Sequence, residues 1–128
     1  MSFKPVQTDQ APAAVGPYSQ AVRAGNQIFC SGQIPLNPET GTLVEGEIED
    51  QVHQVMANLK AVLEAAGAGL KDVVRSTIYL TDLGHFQRVN TVYAGYFKAP
   101  FPARVTIQAA ALPLGAAVEV DVIAVQES

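Results

Sequence analysis

The chain has one cysteine, Cys30, so no disulfide can close within it. A lone thiol fits a reducing compartment. There is no basic cluster either: eight Lys and Arg stand against twelve Asp and Glu, for a formal net charge of −4. That balance lacks the positive footprint with which nucleic-acid binders hold phosphates. No apolar run approaches the roughly 18 residues that a membrane-spanning helix needs. The opening MSFKPVQTDQAPAAVGPYSQ has no apolar core of a secretory signal. These absences predict a cytoplasmic protein without a nucleic-acid or membrane partner. Metal motifs are missing as well, since His53 and His85 have no second ligand at i+4 and Cys30 has no CxxC partner. The Gly-x-Gly at 67–69 follows a helical pattern instead of opening one, which argues against a phosphate loop. Cys30 sits beside Phe29 in an apolar stretch with no basic neighbour, the setting of an inert thiol rather than a nucleophile.

What remains is apolar. Hydrophobic residues make up 48% of the 128 and charged ones 16%, and some of that excess is expected to cover a subunit interface. Residues 1–128 are expected to form a single domain, long enough to bury about two-thirds of its unfolded surface. After an extended lead-in, 19–24 and 27–33 flank Gly25-Asn26 and predict a hairpin. Ile48, Val52, Val55, Met56, Leu59, Val62, Leu63 and Ala66 recur with helical spacing. Glu47, Glu49 and Asp50 favour the positive end of that helix, and Gly67 and Gly69 end it. A β-branched run predicts a strand over about 72–80. Thr81 or Asp82 can cap a second helix with Phe86, Val89, Tyr93 and Phe97 on one face and Asn90 on or beside it. Two last strands, about 104–111 and 117–126, complete a β-β-α-β-α-β-β order. The fold class is therefore α+β, a mixed sheet with both helices packed on one face.

Two residues in FPARVTIQAAALPLGAAVEVDVIAVQ, residues 101–126, break the apolar pattern. Arg104 stands at the mouth of a strand, delivered by the rigid FPA segment, and its planar fork suits bidentate capture of a carboxylate. Glu119 alternates with Val118 and Val120, and Asp121 with Val120 and Val122, so one strand face is apolar and the other acidic. The plainer alternative is that both acids face water with Arg104 as their ion-pair partner, and pattern alone favours it. Register parity leaves open whether Arg104 and Glu119 share a face.

Six ordered segments resemble the Rid family of reactive intermediate (enamine/imine) deaminases, in its RidA-type branch. They are GPYSQAV (16–22), SGQIPLNPETG (31–41), QVMANLKAVLEAAG (54–67), VNTVY (89–93), FPAR (101–104) and LPLGAAVEVDVIAV (112–125). The resemblance implies a chorismate-mutase-like fold and a homotrimer with active sites between subunits. It implies that Arg104 clamps the substrate carboxylate and that Glu119 positions or activates water. Tyr18, Ser31, Gly32 and Asn90 would line the same cleft. The implied reaction is hydrolysis of 2-iminobutanoate and 2-iminopropanoate (or 2-aminoacrylate) to 2-oxo acids and ammonia, without a cofactor. Two positions depart from the family's pattern: Thr106 stands where many relatives have cysteine, and Val120 where isoleucine or methionine is common.

Each of the three polar lining residues has a plainer role. Tyr18 can fill an interface, and Ser31 and Asn90 can bond only backbone. Alternatives to the enzyme are a non-catalytic small-carboxylate-binding protein, a ribonuclease or translation inhibitor, and a holdase chaperone.

Overall fold

A computed structural model describes residues 2–127. The strands are β1 (Lys4–Val6), β2 (Ala21–Ala24), β3 (Gln27–Gln33), β4 (Val73–Leu80), β5 (Ala103–Gln108) and β6 (Val118–Val125). The helices are α1 (Ile48–Ala65) and α2 (Phe86–Ala94). The fold is α+β as expected, with one further strand, because the lead-in contributes β1. β1 is a three-residue edge strand containing Pro5, too short and polar to show alternation.

α1 follows from its apolar spacing. Ile48, Val52, Val55, Met56, Leu59, Val62 and Leu63 are all buried against the sheet. Its first turn is held by the Asp50 carboxylate, which accepts the Glu47 N–H at 2.9 Å. Its end is set by Gly67 at φ +82°, which turns the chain so that the Ala68 N–H reaches Leu63 O at 2.8 Å. Asp82 caps a short 3₁₀ turn (Leu83–His85) ahead of α2 by accepting the Gly84 N–H at 2.8 Å.

The sheet order is β1-β2-β3-β6-β4-β5. β4 and β5 are parallel and the remaining pairs antiparallel, so β6 lies in the middle. β5 and β6 are consecutive in the chain but are not neighbours, because β4 lies between them. Both helices cover one face. On that side β6 presents Val118, Val120, Val122 and Ala124, and β4 presents Ser76, Ile78 and Leu80, all buried. Among the described residues the opposite face carries no α-helix. There Phe29, Val105 and Ile107 are 39%, 41% and 43% exposed. Among the described residues no helix is long and apolar enough to cross a membrane.

Candidate active site

Strand parity decides where the two unusual residues go. Glu119 alternates with buried Val118 and Val120, so it stands on the open face, with Tyr79 as its cross-strand partner. Arg104 is in register with Ser76, whose side chain is buried beneath α2. The two residues therefore lie on opposite faces of one sheet. No ion pair joins them, and among the described residues the salt bridges are those of Arg88 with Glu47 and Glu49 at 2.9 and 2.7 Å.

On the helix side, Arg104 rests on an aromatic shelf. Its guanidinium carbon lies 5.1 Å from the Tyr93 ring centroid and 5.7 Å from that of Phe86. Both rings belong to α2, and cation–π attraction holds the charge over them. The Tyr93 hydroxyl donates to Ser76 Oγ at 2.8 Å inside the core, fixing the shelf to the strand below it. Tyr93→Phe is expected to cost about 1 kcal/mol of stability, the net worth of a buried hydrogen bond, as a lower chemical-denaturation midpoint. No carboxylate meets the Arg104 fork among the described residues. Asn90 is half-buried on the same helix, between the two shelf residues in sequence. Thr106 follows two residues on along β5, on the same side as Arg104, and its buried hydroxyl has no partner among the described residues.

On the open side, Tyr18, Ser31, Gly32 and Glu119 line one cleft of about 730 Å³, with apolar walls from Val15, Leu36 and Leu114. That volume suits a small-molecule site. β3 shifts register between Cys30 and Gln33, and this irregularity brings Gly32 up against the glutamate. A Cβ at Gly32 would stand 2.9 Å from Glu119 Cδ and closer still to Oε2, so only glycine leaves the carboxyl where it is. Gly32→Ala is expected to displace that carboxyl with little loss of fold, measured as a shifted Glu119 carboxyl resonance beside an unchanged far-ultraviolet spectrum.

Burial, and secondarily the negative charge of Asp121, raises the Glu119 pKa above the ordinary carboxylate value. Asp121 in turn accepts the Tyr79 hydroxyl at 2.9 Å, which raises the tyrosine's pKa. Ser31 is committed in part, since its Oγ donates to Ser19 O at 2.6 Å and pins the chain after Tyr18 to β3. Tyr18 is half exposed over the cleft. A second cleft of about 440 Å³ runs along the N-terminal segment and shares Tyr18 and Gln20. Cys30 is buried beneath the sheet, and burial with Asp121 pushes its thiol up to about 12, so it stays protonated at neutral pH. Among the described residues there is no cluster of three or more potential metal-ligating side chains.

The sequence-predicted site thus divides in two. Four residues share the open cleft, while Arg104 and Asn90 belong to the helix side. Sequence reading missed Tyr79 and Asp121 as the glutamate's immediate neighbours. The alternation of VEVDV placed Asp121 on the right face, but nothing local marks Tyr79.

Fold and site together define a small α+β protein with an uncovered sheet face, a cleft floored by a carboxyl, and a free guanidinium on the far side. The chain belongs to the endoribonuclease L-PSP family, also called the Rid family, whose pattern matches residues 8–126. It is 56% identical over 127 residues to Protein DfrA of Myxococcus xanthus, covering 98% of this chain and 97% of that protein. It is 46% identical over 123 residues to the mouse 2-iminobutanoate/2-iminopropanoate deaminase, covering 96% of this chain and 91% of the relative. Among solved structures, one described as an endoribonuclease from Thermotoga maritima superposes with a TM-score of 0.95. It is 53% identical, and the match covers 98% of both chains.

Proposed function

We propose that this chain hydrolyses reactive 2-imino acids to 2-oxo acids and ammonia, as a homotrimer whose sites form between copies. The observation that carries this reading is the placement of Arg104 and Glu119 on opposite faces of one sheet. Neither half can both anchor a carboxylate and activate water. A second copy that seats its Arg104 half against the open cleft of the first would complete the set: Arg104 and Asn90 from one copy, Tyr18, Ser31, Gly32 and Glu119 from the next. The exposed Phe29, Val105 and Ile107 on the uncovered face supply apolar area for such an association.

The chemistry needs no activated side-chain nucleophile, because the imine carbon is already electrophilic. The Arg104 fork holds the substrate carboxylate through two parallel hydrogen bonds and so fixes C2. Glu119 accepts a proton from water as the water oxygen bonds to C2, and the imine nitrogen takes up a proton to become an amine. The glutamate's raised pKa suits it to return its proton to that nitrogen. The C–N bond then breaks as the hydroxyl proton passes by way of Glu119 to the departing nitrogen and the C=O double bond forms. One water is consumed, ammonia leaves, and no oxidant or reductant takes part. The mouse relative's name supports this substrate class. Removing such imines protects other enzymes from reactive metabolites, a role that suits the cytoplasm.

The family's endoribonuclease description favours a second reading. A net charge of −4 and a cleft lined by Glu119 oppose it, since a phosphate backbone would meet like charge. Tight RNA binding at physiological salt would restore it. The first test generates 2-iminobutanoate from threonine with a dehydratase while semicarbazide traps the imine. Wild-type protein is expected to suppress semicarbazone formation. An unchanged trapping rate, with 2-oxobutanoate still bound, would leave a non-catalytic carboxylate-binding protein.

A further inference from the structure

Residues 7–19 form neither helix nor strand, yet they build one wall of the Glu119 cleft through Pro12, Ala13, Val15 and Tyr18. An irregular segment of this length needs something to hold it. Among the described residues, every hydrogen bond from residues 8–12 to the rest of the fold ends on one side chain, that of Gln20. Its Oε1 accepts the Thr8 N–H at 2.8 Å. Its Nε2 faces the carbonyls of Thr8, Ala11 and Pro12 at 3.1, 3.4 and 2.8 Å. Gln20 is 4% exposed, and its backbone carbonyl accepts the Ser31 N–H at 3.0 Å. Gln20 thus ties residues 8–12 of the cleft's wall to its floor, while the Ser31 bond to Ser19 O holds the wall's other end.

We propose that Gln20 is a positioning residue, whose carboxamide latches residues 8–12 and so sets where the wall carrying Tyr18 stands over Glu119. The proposal rests on the assignment of this cleft as the substrate site. Three features make the latch specific to an amide. The oxygen meets a donor, the nitrogen meets only acceptors, and the side chain is shielded from water that could substitute for either. Without it the wall is free to occupy positions away from the cleft, and the competent state becomes a fraction of the population. Apparent affinity then falls by that fraction, while the reacting groups, and hence the step after binding, are unchanged.

Gln20→Ala and Gln20→Glu test this together. Gln20→Ala is expected to raise KM about ten-fold with kcat within about two-fold of wild type. Amides of residues 8–12 should exchange faster with deuterium while those of β3 and β6 hold their protection. Gln20→Glu keeps the shape and the acceptor but turns a carboxylate toward three carbonyls. It should match the alanine variant at neutral pH and recover toward wild type on acidification, when the carboxyl can donate again. Asp9, Tyr18 and Glu119 are the other titratable groups lining the two clefts, so wild type is titrated in parallel. Unchanged KM and unchanged exchange at residues 8–12 would overturn the latch. So would equal acceleration of all amides, which would make Gln20 a general stabiliser. If wild type shows no turnover, the deaminase reading fails separately. Exchange at residues 8–12 and the affinity for 2-oxobutanoate then decide the latch alone.

Discussion

Arg104→Ala is expected to lower kcat/KM for 2-iminobutanoate by about a thousand-fold while the protein stays folded. Two charge-assisted hydrogen bonds of about 2 kcal/mol each are lost with the guanidinium, and every ten-fold in rate corresponds to about 1.4 kcal/mol. Fold stability should hardly move. The side chain is exposed, meets no carboxylate among the described residues, and contributes mainly its contact with Phe86 and Tyr93. Binding of 2-oxobutanoate should be lost together with turnover, because substrate and product share the carboxylate. Arg104→Lys keeps the charge but not the fork, so it is expected to recover only part of the loss. Calorimetric titration with 2-oxobutanoate, run beside the kinetics, checks both halves.

Glu119→Gln separates binding from chemistry. Turnover should fall by about 10²- to 10⁴-fold, the usual contribution of a positioned acid–base group, while 2-oxobutanoate still binds. Stability should move the other way. A carboxyl whose folded-state pKa lies above its unfolded-state value holds its proton more tightly in the fold, so ionising it costs folding free energy. That cost is absent below the ordinary carboxylate value of 4.5, grows as pH rises through the folded-state value, and is complete above it. Replacing the carboxyl with an amide removes it, so Glu119→Gln should melt higher than wild type at neutral pH and no higher at pH 3. The rate profile has the matching sign. Activity should fall on acidification at a pH above the usual carboxylate range, because the base must be ionised to take a proton from water. A variant that lost activity and stability together would make Glu119 a structural residue.

Much of the fold was legible because its elements satisfy local rules. α1 shows its period through seven apolar positions, and β6 shows its two faces through VEVDV. β1 was not legible, because a three-residue edge strand with a proline leaves no alternation to see. The decisive relation, that Arg104 and Glu119 face opposite ways, was not legible either. Strand parity is local, but comparing parity between two strands requires their order and register. Here β4 inserts between β5 and β6 and pairs with one in parallel and with the other antiparallel. The ion pair that pattern favoured is excluded by that topology. Gln20 was invisible for a related reason. A glutamine at the start of a strand carries no signal, and its partners lie 8 to 12 residues away in an irregular segment.

The most direct test of the account mixes two inactive variants. Arg104→Ala and Glu119→Gln are each purified, unfolded together at equal concentration and refolded, then assayed by imine trapping. If each site takes its arginine from one copy and its glutamate from the next, random assembly restores an intact pair in about a quarter of the sites. Activity should then return to about a quarter of a wild-type sample treated the same way. If both residues serve a site within one chain, every site in the mixture lacks one of them. Activity at the level of the separate variants would contradict the intersubunit site.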